Sequence, residues 1–191
     1  LAIGIKKYQR LHRIRSNMNA IKTEIPDVII FEPKVFGDER GFFLESFNQK
    51  FFEEATGLKR DFVQDNHSKS SKGVLRGLHY QLPPMAQGKL VRVITGKVID
   101  VVVDIRRNSP TFGQHAKFEL DSNVGNMLFV PAGFAHGFVA LEETVFLYKC
   151  TEYWHKASES GIIYNDPDLG IDWGVENPIV SSKDLVLPSF K

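Results

Sequence analysis

Turn residues cut the chain into short runs rich in β-branched and aromatic side chains, and that spacing constrains its fold more than any other feature. Residues 28–31, 41–47 and 61–64 are β-prone runs. Residues 89–95 and 97–105 alternate in polarity about Thr95-Gly96, which predicts a hairpin. Residues 117–120, 127–130, 136–141 and 144–153 continue the series, with breaks at Ser109-Pro110, Pro131-Ala132-Gly133 and Asp166-Pro167-Asp168. One helix stands out. Asn48 can cap it, Phe51, Phe52 and Ala55 give it an apolar face, and Gly57 can end it. Many short strands at regular spacing predict an all-β closed barrel or jelly roll with a few short peripheral helices. The 15 phenylalanines suit a β-rich core or an aromatic-walled cavity.

A chain of 191 residues is one domain with a substantial core by default. Residues 18–191 read as that domain. Residues 1–17 carry Lys6, Lys7, Arg10, Arg13 and Arg15 and no acidic residue. They lack the apolar stretch of a signal peptide and read as a non-native or disordered basic extension, with Met18 as the natural start. A net charge of +1 implies no nucleic-acid partner. No apolar run is long enough to predict a membrane span. The single cysteine, Cys150, rules out an intrachain disulfide and fits a reducing, cytoplasmic compartment.

The chemistry concentrates in residues 73–81, Gly-Val-Leu-Arg-Gly-Leu-His-Tyr-Gln. His79 sits near the end of an apolar run, with Arg76 three residues upstream and Lys89 in the next strand. A base flanked by fixed positive charge suits proton removal from carbon beside an anionic substrate. Strict alternation would put Arg76 and His79 on opposite faces. Both serve one site only if Gly77 distorts the strand, or if one of them serves the site of a second copy. In residues 145–151, alternation sets Phe146, Tyr148 and Cys150 on one face and Lys149 on the other, so Tyr148 points inward. Taken singly, Tyr148 and His79 also fit as satisfied core residues, and Arg76 and Lys89 as charges on the barrel rim. The segment Pro131-Ala132-Gly133-Phe134-Ala135-His136 resembles the second cupin motif, in which the glycine tightens a hairpin and aims the histidine into the barrel mouth. A metal-binding cupin also needs two histidines one residue apart in its first motif. Here that place reads His79-Tyr80-Gln81, so no metal is expected.

Several segments together resemble the dTDP-4-dehydrorhamnose 3,5-epimerase family: residues 36–43, 63–68, 75–79, 87–91, 109–113 and 133–138. The likeness runs from about Ile21 to Leu187. It implies a cupin-type double-stranded β-helix, a homodimer, and an isomerase working without metal or other cofactor. The implied reaction converts dTDP-4-dehydro-6-deoxy-D-glucose to dTDP-4-dehydro-L-rhamnose in dTDP-rhamnose biosynthesis. By the same resemblance His79 is the proton acceptor, Asp184 the carboxylate that orients it, Tyr148 the proton donor, and Lys89 the cation near the developing enolate. Arg40, Glu45, Gln64, Asn66, Arg76, His136, Glu159 and Lys183 match positions that hold the nucleotide-sugar. Tyr153 is expected to stack on base or sugar, and Trp154 stands where a tyrosine is expected.

Three other readings are set against this one. A relative that epimerises only C3 or only C5 would share the same base and acid, and product NMR separates them. A metal-dependent cupin isomerase or dioxygenase would lose activity on chelation. A sugar-sensing cupin without catalysis would lack the His79–Asp184 pair and would usually carry a helical DNA-binding domain.

Overall fold

A computed structural model of the protein describes residues 10–11 and 17–191. Most of the basic segment 1–17 lies outside the described residues. Within it, β1 (Arg10–Leu11) pairs antiparallel with β2 (Met18–Lys22). The chain continues through β3 (Ile29–Pro33), β4 (Val35–Asp38), β5 (Gly41–Leu44) and helix α1 (Gln49–Thr56). Next come β6 (Gln64–Ser70), β7 (Val74–Gln81), β8 (Lys89–Thr95), β9 (Lys97–Asp104) and β10 (His115–Asp121). The last are β11 (Met127–Val130), β12 (Phe134–Ala140), β13 (Thr144–Cys150), β14 (Glu159–Gly161) and β15 (Ile179–Val180). Short 3-10 turns at Lys156–Ser158 and Asp184–Val186 complete the set.

Two sheets make the barrel. One has seven strands in the order β1-β2-β3-β11-β8-β13-β6. The other has six, β10-β9-β12-β7-β14 with β15 beside β7. From β6 to β9, and again from β11 to β14, successive strands fall in alternate sheets, the winding of a jelly roll.

This winding corrects two expectations. β8 and β9 do not form a hairpin about Gly96, because β8 pairs with β11 and β13 whereas β9 pairs with β10 and β12. Likewise Pro131-Ala132-Gly133 is a corner between sheets, since β11 pairs with β3 and β8 and β12 with β7 and β9. An alternating run, a glycine and another alternating run look the same in sequence at a hairpin and at such a corner. At Gly96 the corner is tight: φ is +82°, and a Cβ would lie 2.3 Å from the Glu143 carbonyl oxygen. β9 instead forms its hairpin with β10, across residues 105–114.

Inward side chains of both sheets meet in one apolar cluster. β8 gives Val91 and Val93, β9 Val98 and Val102, β12 Phe134 and Phe138, and β13 Phe146. The outer face of the larger sheet is covered by α1 through Phe51 and Phe52, packed on Phe31, Leu90 and Phe129. Asn48 caps α1 by accepting from the Phe51 N–H at 3.1 Å, and Gly57 ends it with φ +71°, as the sequence predicts. Ile162, Leu169 and Trp173 cover the outer face of the smaller sheet over Leu75, Val101 and Val139. With both outer faces sealed, the open end of the barrel is left for polar groups. β4 and β5 form a separate two-stranded hairpin that carries exposed Phe42 and Phe43.

Candidate active site

A cavity of about 500 Å³ opens between the sheets, and Arg76, His79, Lys89, His136, Tyr148 and Asp184 all line it. Its floor is apolar, with Phe138 and Phe146 stacked at 4.2 Å. A smaller space of about 140 Å³ adjoins it and shares His79, Lys89 and Tyr148. Gln64, Asn66, Trp154 and Glu159 line that second space.

Arg76 and His79 reach one cavity through a bulge. In the β7–β12 ladder His79 faces His136 and Arg76 faces Phe138, so Gly77 and Leu78 lie opposite Gly137 alone. The extra residue restores the phase that simple alternation would break. Glycine is needed on both strands. At Gly77, with φ +124°, a Cβ would lie 2.6 Å from Gly137 Cα, and at Gly137 a Cβ would lie 2.7 Å from the Arg76 carbonyl oxygen. The first of the two routes set out from the sequence is therefore the one realised, within a single chain.

His79 Nε2 lies 2.7 Å from Asp184 Oδ1. Asp184 comes from the C-terminal turn, is almost fully buried, and also accepts from the Gly77 N–H at 3.4 Å. Burial alone would raise its carboxyl, but the hydrogen bond and charge of His79, with the Gly77 N–H, hold it below the usual carboxylate range. A carboxylate on Nε2 fixes the tautomer of a neutral imidazole, leaving Nδ1 as the basic nitrogen.

Tyr148 projects from β13, in the opposite sheet to β7. Burial pushes its hydroxyl up, which keeps it protonated at neutral pH. Lys149 points the other way and pairs with Asp65 at 2.9 Å, as the alternation predicts. The Lys89 ammonium makes no hydrogen bond or ion pair among the described residues. Burial pushes it down, against the attraction of Asp100 and Glu159. The Cys150 thiol is itself pushed up by burial and stays neutral, so it adds no anion.

Of the remaining sequence candidates, Arg76, His136 and Lys183 line the larger cavity, and Gln64, Asn66 and Glu159 the smaller. Arg76 is held by Ser70 Oγ at 3.0 Å and the Lys69 carbonyl at 3.1 Å, while Lys183 and Glu159 pair at 2.9 Å. Three candidates are not brought to the site. Arg40 is exposed on the β4–β5 hairpin and paired with Asp38, and Glu45, just after β5, lines neither cavity. Tyr153 lines neither cavity, whereas its neighbour Trp154, about equally exposed, lines the smaller one. The chain has left β13 by then, so the strand phase that placed Tyr148 no longer governs. One residue was missed. Asp100, fully buried, lies with both carboxylate oxygens at 3.0 and 2.9 Å from His136 Nε2. The signal was present: it is a lone acid in the strand run Val-Ile-Asp-Val-Val-Val, on the inward phase of Val98 and Val102. Among the described residues no group of three or more His, Cys, Asp and Glu side chains is placed to hold a metal ion.

A jelly-roll barrel that gathers a carboxylate-held imidazole, a phenol and a buried ammonium round one cavity is the framework of an acid–base isomerase. Comparison with known proteins carries this further. A model of the dTDP-4-dehydrorhamnose 3,5-epimerase family matches residues 22–191. The dTDP-4-dehydrorhamnose 3,5-epimerase of Shigella flexneri is 62% identical over 169 residues, covering 88% of this chain and 93% of that protein. The crystal structure of the Legionella pneumophila dTDP-6-deoxy-D-glucose-3,5-epimerase with dTDP-4-keto-L-rhamnose superposes with a TM-score of 0.87 at 51% identity, covering 91% of this chain and 93% of that one. A 3'-monoepimerase of Streptomyces bikiniensis, solved with dTDP-quinovose, is 33% identical with a TM-score of 0.82, covering 88% and 86%. The chain belongs to the dTDP-4-dehydrorhamnose 3,5-epimerase family, whose members are cupin-type isomerases.

Proposed function

We propose that the chain epimerises dTDP-4-dehydro-6-deoxy-D-glucose at C3 and C5 to give dTDP-4-dehydro-L-rhamnose, as a homodimer in the cytoplasm. One arrangement carries the reading: His79, held by Asp184, and Tyr148 belong to opposite sheets and line the same cavity as Lys89. Inversion at carbon needs a base on one face and an acid on the other, and a single group cannot serve both.

The C4 ketone acidifies the hydrogens on C3 and C5. His79 Nδ1 removes one, and the electron pair moves onto the C4 oxygen as an enolate. Lys89 stabilises that charge by a charge-assisted hydrogen bond. Tyr148 then returns a proton to the opposite face of the same carbon. Asp184 stabilises the imidazolium in the interval. The phenolate regains a proton and His79 loses one, so each inversion is redox-neutral. Arg76 and Lys183 supply cations for the diphosphate, and Gln64, Asn66, His136 and Glu159 supply polar contacts to the sugar and nucleotide. Trp154, rather than Tyr153, offers the aromatic face for the base.

The homodimer reading gives Arg40 and Glu45 a role. The β4–β5 hairpin carries them away from their own cavity with Phe42 and Phe43 exposed, as fits an arm that completes the site of a second copy.

The test is incubation with dTDP-4-dehydro-6-deoxy-D-glucose in D2O, followed by NMR. Deuterium at both C3 and C5 with inverted configuration is expected, and inversion at one carbon alone would reduce the assignment to a mono-epimerase. His79→Asn should lose both exchange and epimerisation, by at least about 10²-fold. Wild-type exchange in that variant would overturn the assignment of the base.

A further inference from the structure

Asp166 is a buried carboxylate that the proton transfers above do not use. It lies in the turn after β14 and accepts from three backbone N–H groups. Oδ1 takes those of Asp168 at 2.9 Å and Leu169 at 3.1 Å, and Oδ2 takes that of Phe190 at 2.8 Å. The last of these ties down the C-terminal segment, which is held at three more points. The Pro188 carbonyl accepts from the Ile163 N–H at 2.9 Å. Leu187 lies so close over Gly161 that a Cβ there would come within 2.7 Å of its Cδ1, and Gly161 is the β14 residue in register with His79. The Phe190 ring packs on Phe112, with centroids 5.1 Å apart. Asp184 lies just upstream, at the start of its 3-10 turn. The rest of that turn faces solvent, with Leu185 50% and Val186 81% exposed. On the other side Asp184 is held through Ser181, whose carbonyl and Oγ accept its N–H at 3.0 and 3.1 Å.

We propose that residues 185–190 form a strap that sets Asp184 against His79, and that Asp166 fastens it: Asp166 is a positioning residue that acts on the reaction through the His79–Asp184 pair. The proposal rests on the epimerase reading, in which His79 is the base. The 2.7 Å bond between His79 and Asp184 aligns the imidazole only while both partners stay in place. His79 is fixed by the β7 ladder, between β12 and β14. Asp184 has no such ladder. It sits on a turn whose other residues bury little, so the chain on either side must hold it. Downstream, the buried end of that hold is the Phe190 N–H on Asp166. Asparagine at 166 would bring a single acceptor oxygen. It could not serve the 168–169 amides and the Phe190 N–H together, so a buried N–H would be left unpaired and the strap loosened. Phe190→Ala loosens the strap by a second route, since it keeps the backbone bond to Asp166 and removes the ring from Phe112.

The experiment is a double-mutant cycle on dTDP-4-dehydro-6-deoxy-D-glucose in D2O, reading kcat and deuterium exchange at C3 and C5 on the folded fraction, with folding followed by far-UV circular dichroism. The variants are Asp166→Asn, Phe190→Ala, Asp184→Ala, and Asp184→Ala combined with each of the first two. Two ways of loosening the strap are used so that a folded variant is measured. Asp166→Asn and Phe190→Ala should each lower kcat and exchange together, by roughly 10- to 10²-fold, the scale of a misplacement on the order of 1 Å. In Asp184→Ala the strap has no carboxylate to place, so adding either substitution should cost less than about twofold more. A residue that only stabilises the fold would lower Tm in both backgrounds and leave kcat of the folded protein unchanged. Wild-type kcat and exchange in a folded Asp166→Asn or Phe190→Ala, or the same fold-loss repeated in the Asp184→Ala background, would overturn the proposal and make the strap a packing element. A wild type that exchanges no deuterium at C3 or C5 would instead overturn the epimerase reading.

Discussion

Removing one oxygen from Tyr148 separates a proton donor from a core tyrosine. Tyr148→Phe keeps the ring on Phe146 and leaves His79 and Asp184 intact. The variant should still form the enolate, and His79 returns a proton, or a deuteron after solvent exchange, to the face it came from. Exchange with retained configuration should survive while inversion falls by roughly 10²-fold or more. NMR in D2O reads both rates, and an unchanged ratio of inversion to exchange would make Tyr148 a packing residue. Asp184→Asn should lower the rate with little change in substrate binding, because the imidazolium loses its counter-charge. At this scale the sequence was informative wherever strand phase held. Alternation in β13 set Tyr148 inward and Lys149 outward without any tertiary knowledge. The same alternation in β9 points Asp100 inward, but a single acid in a valine run has no visible partner until β12 lies beside it.

Among the elements, β7 depends most on local backbone geometry. Gly77→Ala would set a methyl carbon against the Gly137 Cα in a conformation that L-residues rarely adopt. A loss of about 1–3 kcal/mol is expected, or about 2–12 °C in Tm. A larger drop in kcat should accompany it, since the bulge is what brings Arg76 and His79 to one face. Scanning calorimetry and kcat measured on the folded fraction would check both. The β9–β10 connection is clamped differently. Asp104, fully buried, accepts from Arg106 Nε at 2.9 Å, Ser109 Oγ at 2.6 Å and Thr111 Oγ1 at 2.6 Å. Burial pushes its carboxyl up, but those hydrogen bonds outweigh it and hold it well below the usual range. A depressed carboxylate contributes stability that is fully present above its unfolded pKa, about 3.9, and is lost as pH falls toward the folded value. Asp104→Asn should therefore cost about 2–4 kcal/mol at pH 7. The gap from wild type should narrow below about pH 4, as urea titrations at several pH values would show.

For the molecule as a whole, the proposed homodimer makes the most exposed prediction. If the β4–β5 hairpin completes the site of a second copy, Arg40→Ala and His79→Asn should each be poorly active alone. Their mixture should regain activity after subunit exchange. One of the two sites in each mixed dimer then combines an intact His79 with an intact Arg40. A fully active monomer in sedimentation, or no recovery on mixing, would sink the shared site.

The short strands, the capped helix and the inward tyrosine were legible because they depend on neighbours a few residues away. Hydrophobic period, turn residues and Asn48 with Gly57 act locally. The epimerase family was legible too, because its motifs are local strings spread along the chain in order. What the sequence could not settle is which strand lies beside which. Gly96 and Gly133 mark turns either as hairpins or as corners between sheets, and only strand pairing distinguishes them. The meeting of His79 with Asp184, 105 residues apart, and of His136 with Asp100 likewise required the closed barrel. Local chemistry determined the strands, the turns and the reactive side chains. Tertiary packing decided the sheet order, the Gly77 bulge and the buried pairs, because each of these depends on contacts between segments far apart in sequence.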